Sequence, residues 1–352
     1  MKIGLITFHD TNNFGSYLQT YGLYKKVVDL GFDCEIVDYQ CKAILNREQF
    51  GSHGFSLNPK QILKEFLVYR LLRKKYKNLK TWLAENTHIS RRFVKGTITE
   101  SASDYDKFLI GSDIVWGMDI IGKDTTYFLD FIQDSSKKYA FSASIGDAWS
   151  VADKKLLRPL LLDFSGIAVR EEEAAQWVEE VINKRPSVVC DPTMLLCSEE
   201  WKKHATNKYL NDKYVLVYFP TKKNILDAKR YAKKYGLKCY IVNNGIPTRG
   251  FKSIMPTNMG DFLSLFSNAS FVFTASYHGM LFSIYFNRQF AYYNRAHKSR
   301  MNTLAFKLGV NNRDGAIYDV TKMKEINYEK VDALVHDFRN CSIYILKSML
   351  SR

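Results

Sequence analysis

The sequence predicts an α/β chain of two domains with a cleft between them. Three observations carry this. The chain opens on an apolar run, a helical pattern and a second apolar run; a fresh series of the same kind starts near Tyr214; and 352 residues exceed the size at which one core usually stops growing.

IGLITF, residues 3–8, is the continuous apolar run that a parallel strand buried on both faces needs. The polar loop HDTNNFG leads into a helical pattern from Ser16 to Leu30, ended by Gly31, and CEIVDY (34–39) is the next strand. Further strands are predicted at FLIG (108–111), KYAFSAS (138–144), GIAVR (166–170) and SVVCD (187–191), with the helical EEEAAQWVEEVI between the last two. The polar stretch KKHATNKYLNDK, with its turn-like Asn-Asp pair, separates a domain of residues 1–205 from one of 206–352. The second domain runs YVLVYFP from Tyr214, a helix over 224–235, the strand KCYIV (238–242), a helix over 260–268, the strand SFVFTA (270–275), a helix after His278 and a C-terminal helix.

Residues 60–83 stand apart as a basic helix. Leu63, Phe66, Leu67, Leu71 and Leu72 fall near one face, and Arg70, Arg73, Lys74, Lys75, Lys77 and Lys80 crowd the rest. Such a helix suits either packing on its own domain with a solvated basic face or peripheral contact with an anionic membrane.

Fifty-one Lys and Arg against 36 Asp and Glu give a formal charge of +15, which favours acidic partners. No zinc finger or aromatic RNA-binding strand motif accompanies that charge, so nucleic acid is not the expected partner. The six cysteines are scattered without a C-x-x-C pair, which suits a reduced, metal-free interior. No stretch reaches the ~18 apolar residues of a membrane span, and the expected location is the cytoplasm.

Open α/β sheets bind ligands at the carboxyl ends of their strands. Asn13, Gly15 and Ser16 follow the first strand, and Ser112, Asp113 and the flat indole of Trp116 follow FLIG. Arg170 ends a strand just before a helix, where a guanidinium can clamp an anion bidentately. Ser276 and His278 lie at a strand-to-helix junction, and Arg295, Lys298 and Arg300 come soon after. Each has a plain alternative as a cap, a salt bridge or a core residue; their joint placement at strand ends is what favours a site. There is no G-x-x-x-x-G-K-[ST], no G-x-G-x-x-G after the first strand, no H-E-x-x-H and no G-x-S-x-G.

The ordered set NNFGSYLQTYGL, GSDIVWG, AFSASIG, AVREEEA, CDPTMLL, FLSLFSNASFVFTASYHGMLFSIYFN and NTLAFKLGVNNR resembles the polysaccharide pyruvyl transferase family. The resemblance implies two Rossmann-like domains facing across a cleft, as in GT-B glycosyltransferases, and transfer of a pyruvyl group from phosphoenolpyruvate onto a glycan or lipid-linked sugar. It implies a catalytic role for His278, in the position of the family's S-[FY]-H-G histidine. Donor contacts would come from Arg170, Ser276, Tyr277 and Gly279, with Arg295, Lys298 and Arg300. Acceptor contacts would come from Asn13, Gly15, Ser16, Ser112, Asp113, Trp116 and Ser144. No cofactor or metal is expected, phosphoenolpyruvate being a substrate. Two positions depart from the family pattern: Ala275 stands where many members have Asp, and Ser276 where others have Arg. A glycosyltransferase using a nucleotide sugar, and a non-catalytic glycan-binding or assembly protein, remain alternatives at this stage.

Overall fold

A computed structural model describes residues 1–48, 59–243, 248–294 and 298–351, with the side chains of 48, 59–67, 298 and 299 also outside the description. Its contacts divide the chain into two compact units: Met1–Gln49 with Leu83–Leu196 and Asp337–Arg352, and Phe50–Trp82 with Cys197–His336.

The first unit contains β1 (Lys2–Ile6), α1 (Phe14–Asp29), β2 (Asp33–Tyr39) and α2 (Lys42–Glu48). A long helix α3 (Pro59–Asn86) ends in it, followed by β3 (Ile89–Phe93), β4 (Lys107–Ile110), β5 (Lys138–Ala143), α4 (Val151–Leu162), β6 (Gly166–Val169), α5 (Glu172–Ile182) and β7 (Ser187–Val188). The sheet order is β3-β2-β1-β4-β5-β6-β7, parallel throughout. Ile3, Leu5 and Ile6 on β1 and Phe108, Leu109 and Ile110 on β4 are wholly buried, as strands covered on both faces must be. Helix α1 starts where the Asn13 carboxamide accepts the Gly15 N–H. Gly22 lets this helix press on the segment after Cys190: a Cβ there would sit 2.5 Å from the Pro192 carbonyl oxygen.

The second unit contains α6 (Ser198–Lys203), β8 (Tyr214–Tyr218), α7 (Lys222–Tyr235), β9 (Lys238–Val242), β10 (Lys252–Ile254), α8 (Met259–Ser267), β11 (Phe271–Thr274), α9 (Tyr277–Tyr285), β12 (Gln289–Tyr292) and α10 (Lys298–Lys307). Helix α11 (Tyr328–Leu350) begins in it. This sheet is β10-β9-β8-β11-β12, again parallel. Helix α7 carries a capping box between Thr221 and Asn224 and stops at Gly236 in the left-handed region. In each sheet the order reverses once, between β1 and β4 and between β8 and β11. Those reversals are the topological switch points where open α/β sheets hold ligands.

The two units differ from a simple division at 205/206. Residues 50–82 group with the second unit, where Asn78 donates to the Thr257 carbonyl at 3.0 Å and the Trp82 ring meets His204 edge-on at 5.3 Å. The last turns of α11 group with the first unit, because the Lys107 ammonium donates to the Leu350 carbonyl at 2.9 Å and the Ser342 hydroxyl accepts the Cys190 N–H. The apolar face of α3 also differs from expectation. Leu79 and Leu83 are buried while Leu71 is exposed, and Leu63, Phe66 and Leu67 lie outside the described side chains. Among the described residues no helix is long and apolar enough to cross a membrane.

Candidate active site

At the switch point of the second unit, β11 ends at Thr274 and α9 begins three residues later. Ser276 caps the helix, its hydroxyl accepting the Gly279 N–H at 3.3 Å, and its own N–H donates to Thr274 Oγ1 at 3.1 Å. Tyr277 and His278 form the first turn, half-buried, with their rings edge-to-face at 5.7 Å. Gly279 is fixed by packing: a Cβ would stand 2.2 Å from Thr274 Oγ1 and 2.8 Å from Tyr218 Cδ1. The helix therefore sits so close to the strand end that only glycine fits, and the imidazole is carried at the positive end of the α9 dipole.

The neighbouring strand end contributes Phe219, held at φ +57, and the exposed Lys222 at the start of α7. A bulky residue in the left-handed region costs roughly 1–3 kcal/mol and is held there by its surroundings. Below the strand end of β12, the Tyr293 hydroxyl donates to the buried Asp227 carboxylate at 2.8 Å, which also accepts from Lys223. Burial, and the Asp227 charge after it, push the Tyr293 phenol far up, so it stays neutral and serves as a donor. Arg300 is half-buried on α10; Lys298 begins that helix with its side chain outside the described residues, as is Arg295 entirely.

At the switch point of the first unit, the Ser16 hydroxyl donates to the Asp113 carboxylate at 2.7 Å. Asp113 has φ +76, its other carboxylate oxygen accepts the Ile114 N–H, and its carbonyl accepts the Ser144 N–H. Asn13 stays exposed beside this pair and Gly15 is buried in the first turn. The structure thus brings Asn13, Gly15, Ser16 and Asp113 to one strand-end cluster.

Four residues expected to contact substrate are buried within the first unit. Trp116 is wholly buried, stacked on Phe128 at 5.4 Å with its indole N–H donating to the Tyr127 carbonyl, so its faces belong to the core and offer no platform to a sugar. Arg170 is buried between acids: Nε donates to Glu171 at 2.7 Å, and Nη1 to Asp191 at 3.0 Å and to Ser112 Oγ at 3.2 Å. These hydrogen bonds all stay inside the first unit. Ser112 and Ser144 are wholly buried in the same network, Ser144 donating to Glu171 at 2.9 Å. These three residues brace the ends of β4, β5 and β6 from below.

A family model for polysaccharide pyruvyl transferase matches residues 13–297. The chain belongs to the polysaccharide pyruvyl transferase family. Among solved structures, the UDP-GlcNAc 2-epimerase of Neisseria meningitidis bound to UDP-GlcNAc is 12% identical over 100% of both chains, with a TM-score of 0.56. The UDP-GlcNAc 2-epimerase of Methanocaldococcus jannaschii is 12% identical over 97% of this chain and 93% of its own, TM-score 0.46. The Streptomyces nogalater glycosyltransferase SnogD is 9% identical over 99% and 95%, TM-score 0.44. The Neisseria enzyme supports a GT-B-like fold of paired parallel sheets, and at this identity it speaks for fold alone. No curated protein sequence matches the chain significantly. His278, which the sequence resemblance sets at the family's histidine, lies at the switch point of the second sheet.

The sequence did not single out a third cluster. His9 is buried, with Nδ1 3.2 Å from the Thr7 carbonyl and Nε2 3.1 Å from Asp38. Asp38 also accepts from Gln40 and from Arg92 Nε at 3.2 Å. Burial alone would raise the Asp38 carboxyl, but the hydrogen bonds and charges of these partners win and hold it well below the usual carboxylate range. The only signal in the sequence was the polar loop HDTNNFG itself, since His9 and Asp38 lie 29 residues apart.

Proposed function

We propose that this chain transfers the pyruvyl group of phosphoenolpyruvate onto two hydroxyls of one sugar, as a ketal, in the making of a surface polysaccharide or its lipid-linked precursor. The observation that supports the reading is the family match over residues 13–297, with His278 at the dipole-positive start of α9. The reaction moves one proton to the methylene carbon of the enol phosphate while a first sugar hydroxyl, giving up its proton, bonds to C2. The C2–O bond to phosphate then breaks, a second hydroxyl bonds to C2, and its proton leaves with the phosphate. A group that carries protons near neutral pH and a cationic environment for the anionic donor are the required equipment.

His278 supplies the proton transfer. Ser276, Tyr277 and Gly279 shape the turn that holds it, and the α9 N-terminus, the exposed Lys222, and Arg300 with Arg295 and Lys298 supply positive charge to the donor. Asn13, Gly15, Ser16 and Asp113 of the first unit form the acceptor side. Arg170, Ser112, Ser144 and Trp116 act on neither substrate directly. The protein works in the cytoplasm, at the inner membrane face. Exposed Arg70, Arg73, Lys74 and Lys77, beside exposed Tyr69 and Leu71, suit a peripheral contact with anionic lipid, each charge contributing about 1 kcal/mol.

Thermal shift tests the donor assignment. Stabilisation by phosphoenolpyruvate but not by UDP or GDP supports it; stabilisation by a nucleoside diphosphate alone favours a glycosyltransferase. Sedimentation with anionic vesicles tests the membrane contact, and binding that survives neutralisation of Arg73, Lys74 and Lys77 removes the helix from that role.

A further inference from the structure

The Ser16–Asp113 pair rests on a buried polar web centred on Gln19, a residue that sequence reasoning did not mark. Gln19 and Thr20 in α1, Thr7 just past β1 and Ser112 just past β4 are all buried. The Thr7 hydroxyl donates to the Ser112 carbonyl at 2.8 Å. The Thr20 hydroxyl donates to the Ser16 carbonyl at 2.7 Å, with the Phe8 carbonyl at 3.5 Å beside it. The Gln19 amide nitrogen donates to both hydroxyl oxygens, to Thr7 at 2.9 Å and to Thr20 at 3.0 Å. Gly111 leaves room for the link through Thr7: a Cβ there would stand 3.0 Å from the Thr7 Cβ.

The count of protons sets the directions. Each hydroxyl gives its one proton to a backbone carbonyl and faces Gln19 with lone pairs alone, so only the amide nitrogen of the carboxamide can meet them. The Gln19 carbonyl oxygen is thereby turned the other way, where no donor among the described residues reaches it. A buried acceptor left unmet costs about as much as two neutral hydrogen bonds contribute. The glutamine therefore adds little net stability, and what it adds is geometry. One arm ends on the carbonyl of the residue before Asp113; the other ends on the carbonyl of Ser16, whose hydroxyl holds the Asp113 carboxylate. Arg170 grips the Ser112 hydroxyl at 3.2 Å while Thr7 grips its backbone.

We propose that Gln19 is a positioning residue for the acceptor side, setting through Thr7 and Thr20 where the Ser16 hydroxyl and the Asp113 carboxylate stand. The inference rests on the acceptor-side reading of the first unit. Gln19 touches no substrate; it acts through the two threonines.

The test combines amide hydrogen exchange on the whole chain with phosphate release from phosphoenolpyruvate at rising methyl glucoside, galactoside, mannoside or N-acetylglucosaminide. Gln19→Met keeps the volume and removes both donated bonds together with the unmet oxygen. The inference predicts an unchanged melting temperature and about tenfold faster exchange at Ile114 and Ser144, whose N–H groups are held by Asp113, with amides inside β1 and β4 unaffected. It predicts kcat/KM for the glycoside used by the native chain about tenfold lower, at an unchanged KM for phosphoenolpyruvate. Thr7→Val breaks one arm and should speed the same exchange, while Thr7→Ser keeps the hydroxyl and should restore native values. Unchanged exchange at Ile114 and Ser144 in both Gln19→Met and Thr7→Val overturns the inference, as does a lowered melting temperature with faster exchange throughout the first sheet. Faster exchange at the two amides with glycoside kinetics unaltered makes Gln19 a brace of the fold alone and overturns it too. The exchange readings need no turnover, so failure of the transfer reaction in the native chain and failure of the positioning role are told apart.

Discussion

Ser16 and Asp113, 97 residues apart in sequence, are joined by a 2.7 Å hydrogen bond from hydroxyl to carboxylate. The bond locks the first turn of α1 to the loop after β4 across the point where strand order reverses. Asp113 pays for its position with φ +76. Asp113→Gly should therefore be more stable than Asp113→Ala by about 1 kcal/mol in urea denaturation, because both lose the Ser16 bond but only glycine relieves the backbone. Equal stabilities would mean that the backbone there carries no strain.

Arg170→Ala should lose about 3–5 kcal/mol, because it leaves Glu171 and Asp191 buried without their cation. Denaturant midpoints check this. A stable variant with a raised KM for phosphoenolpyruvate would return Arg170 to the donor site.

Gly279→Ala should destabilise by about 1–3 kcal/mol through overpacking against Thr274 and Tyr218. Thr274→Ala in the same chain removes the atom nearest the new methyl and should recover part of the loss, a coupling that a double-mutant cycle reads directly. Strict additivity would show that the close approach of α9 to β11 is not what requires the glycine.

Asp38 is held below the ordinary carboxylate value by His9, Gln40 and Arg92 in spite of its burial. Its contribution to stability is fully present above about pH 4, the unfolded value. It is lost as pH falls from there towards the depressed folded value. Asp38→Asn should lower the melting temperature at pH 6 and flatten the fall between about pH 4 and pH 2. A variant with the same acid profile as the native chain would remove Asp38 from the bracing role.

The fold was readable because parallel strands buried on both faces are unbroken apolar runs: β1, β4, β8, β9 and β11 each overlap such a run. Edge strands β3, with ISRRF, and β10, with KSI, carry polar residues on a side the sheet does not cover and gave no such run. The positions of Ser16 and His278 in the first turns of helices, and of Asp113 just past a strand, were legible from the apolar run that precedes each. Trp116 and Arg170 were not. Their fates are decided by the Tyr127 carbonyl, which takes the indole N–H, and by Asp191, a carboxylate 21 residues further on. The His9–Asp38 pair was invisible for the same reason, since the strands that bring it together are separated by α1.

The most direct measurement incubates purified protein with phosphoenolpyruvate and lipid-linked sugars, following phosphate release and acceptor mass together. The account predicts equal amounts of phosphate and pyruvylated sugar from the native chain, and a loss of about 10²-fold or more in kcat for His278→Ala at unchanged melting temperature. Sugar transfer from a nucleotide-linked donor with phosphoenolpyruvate untouched, or full turnover in His278→Ala, would contradict it.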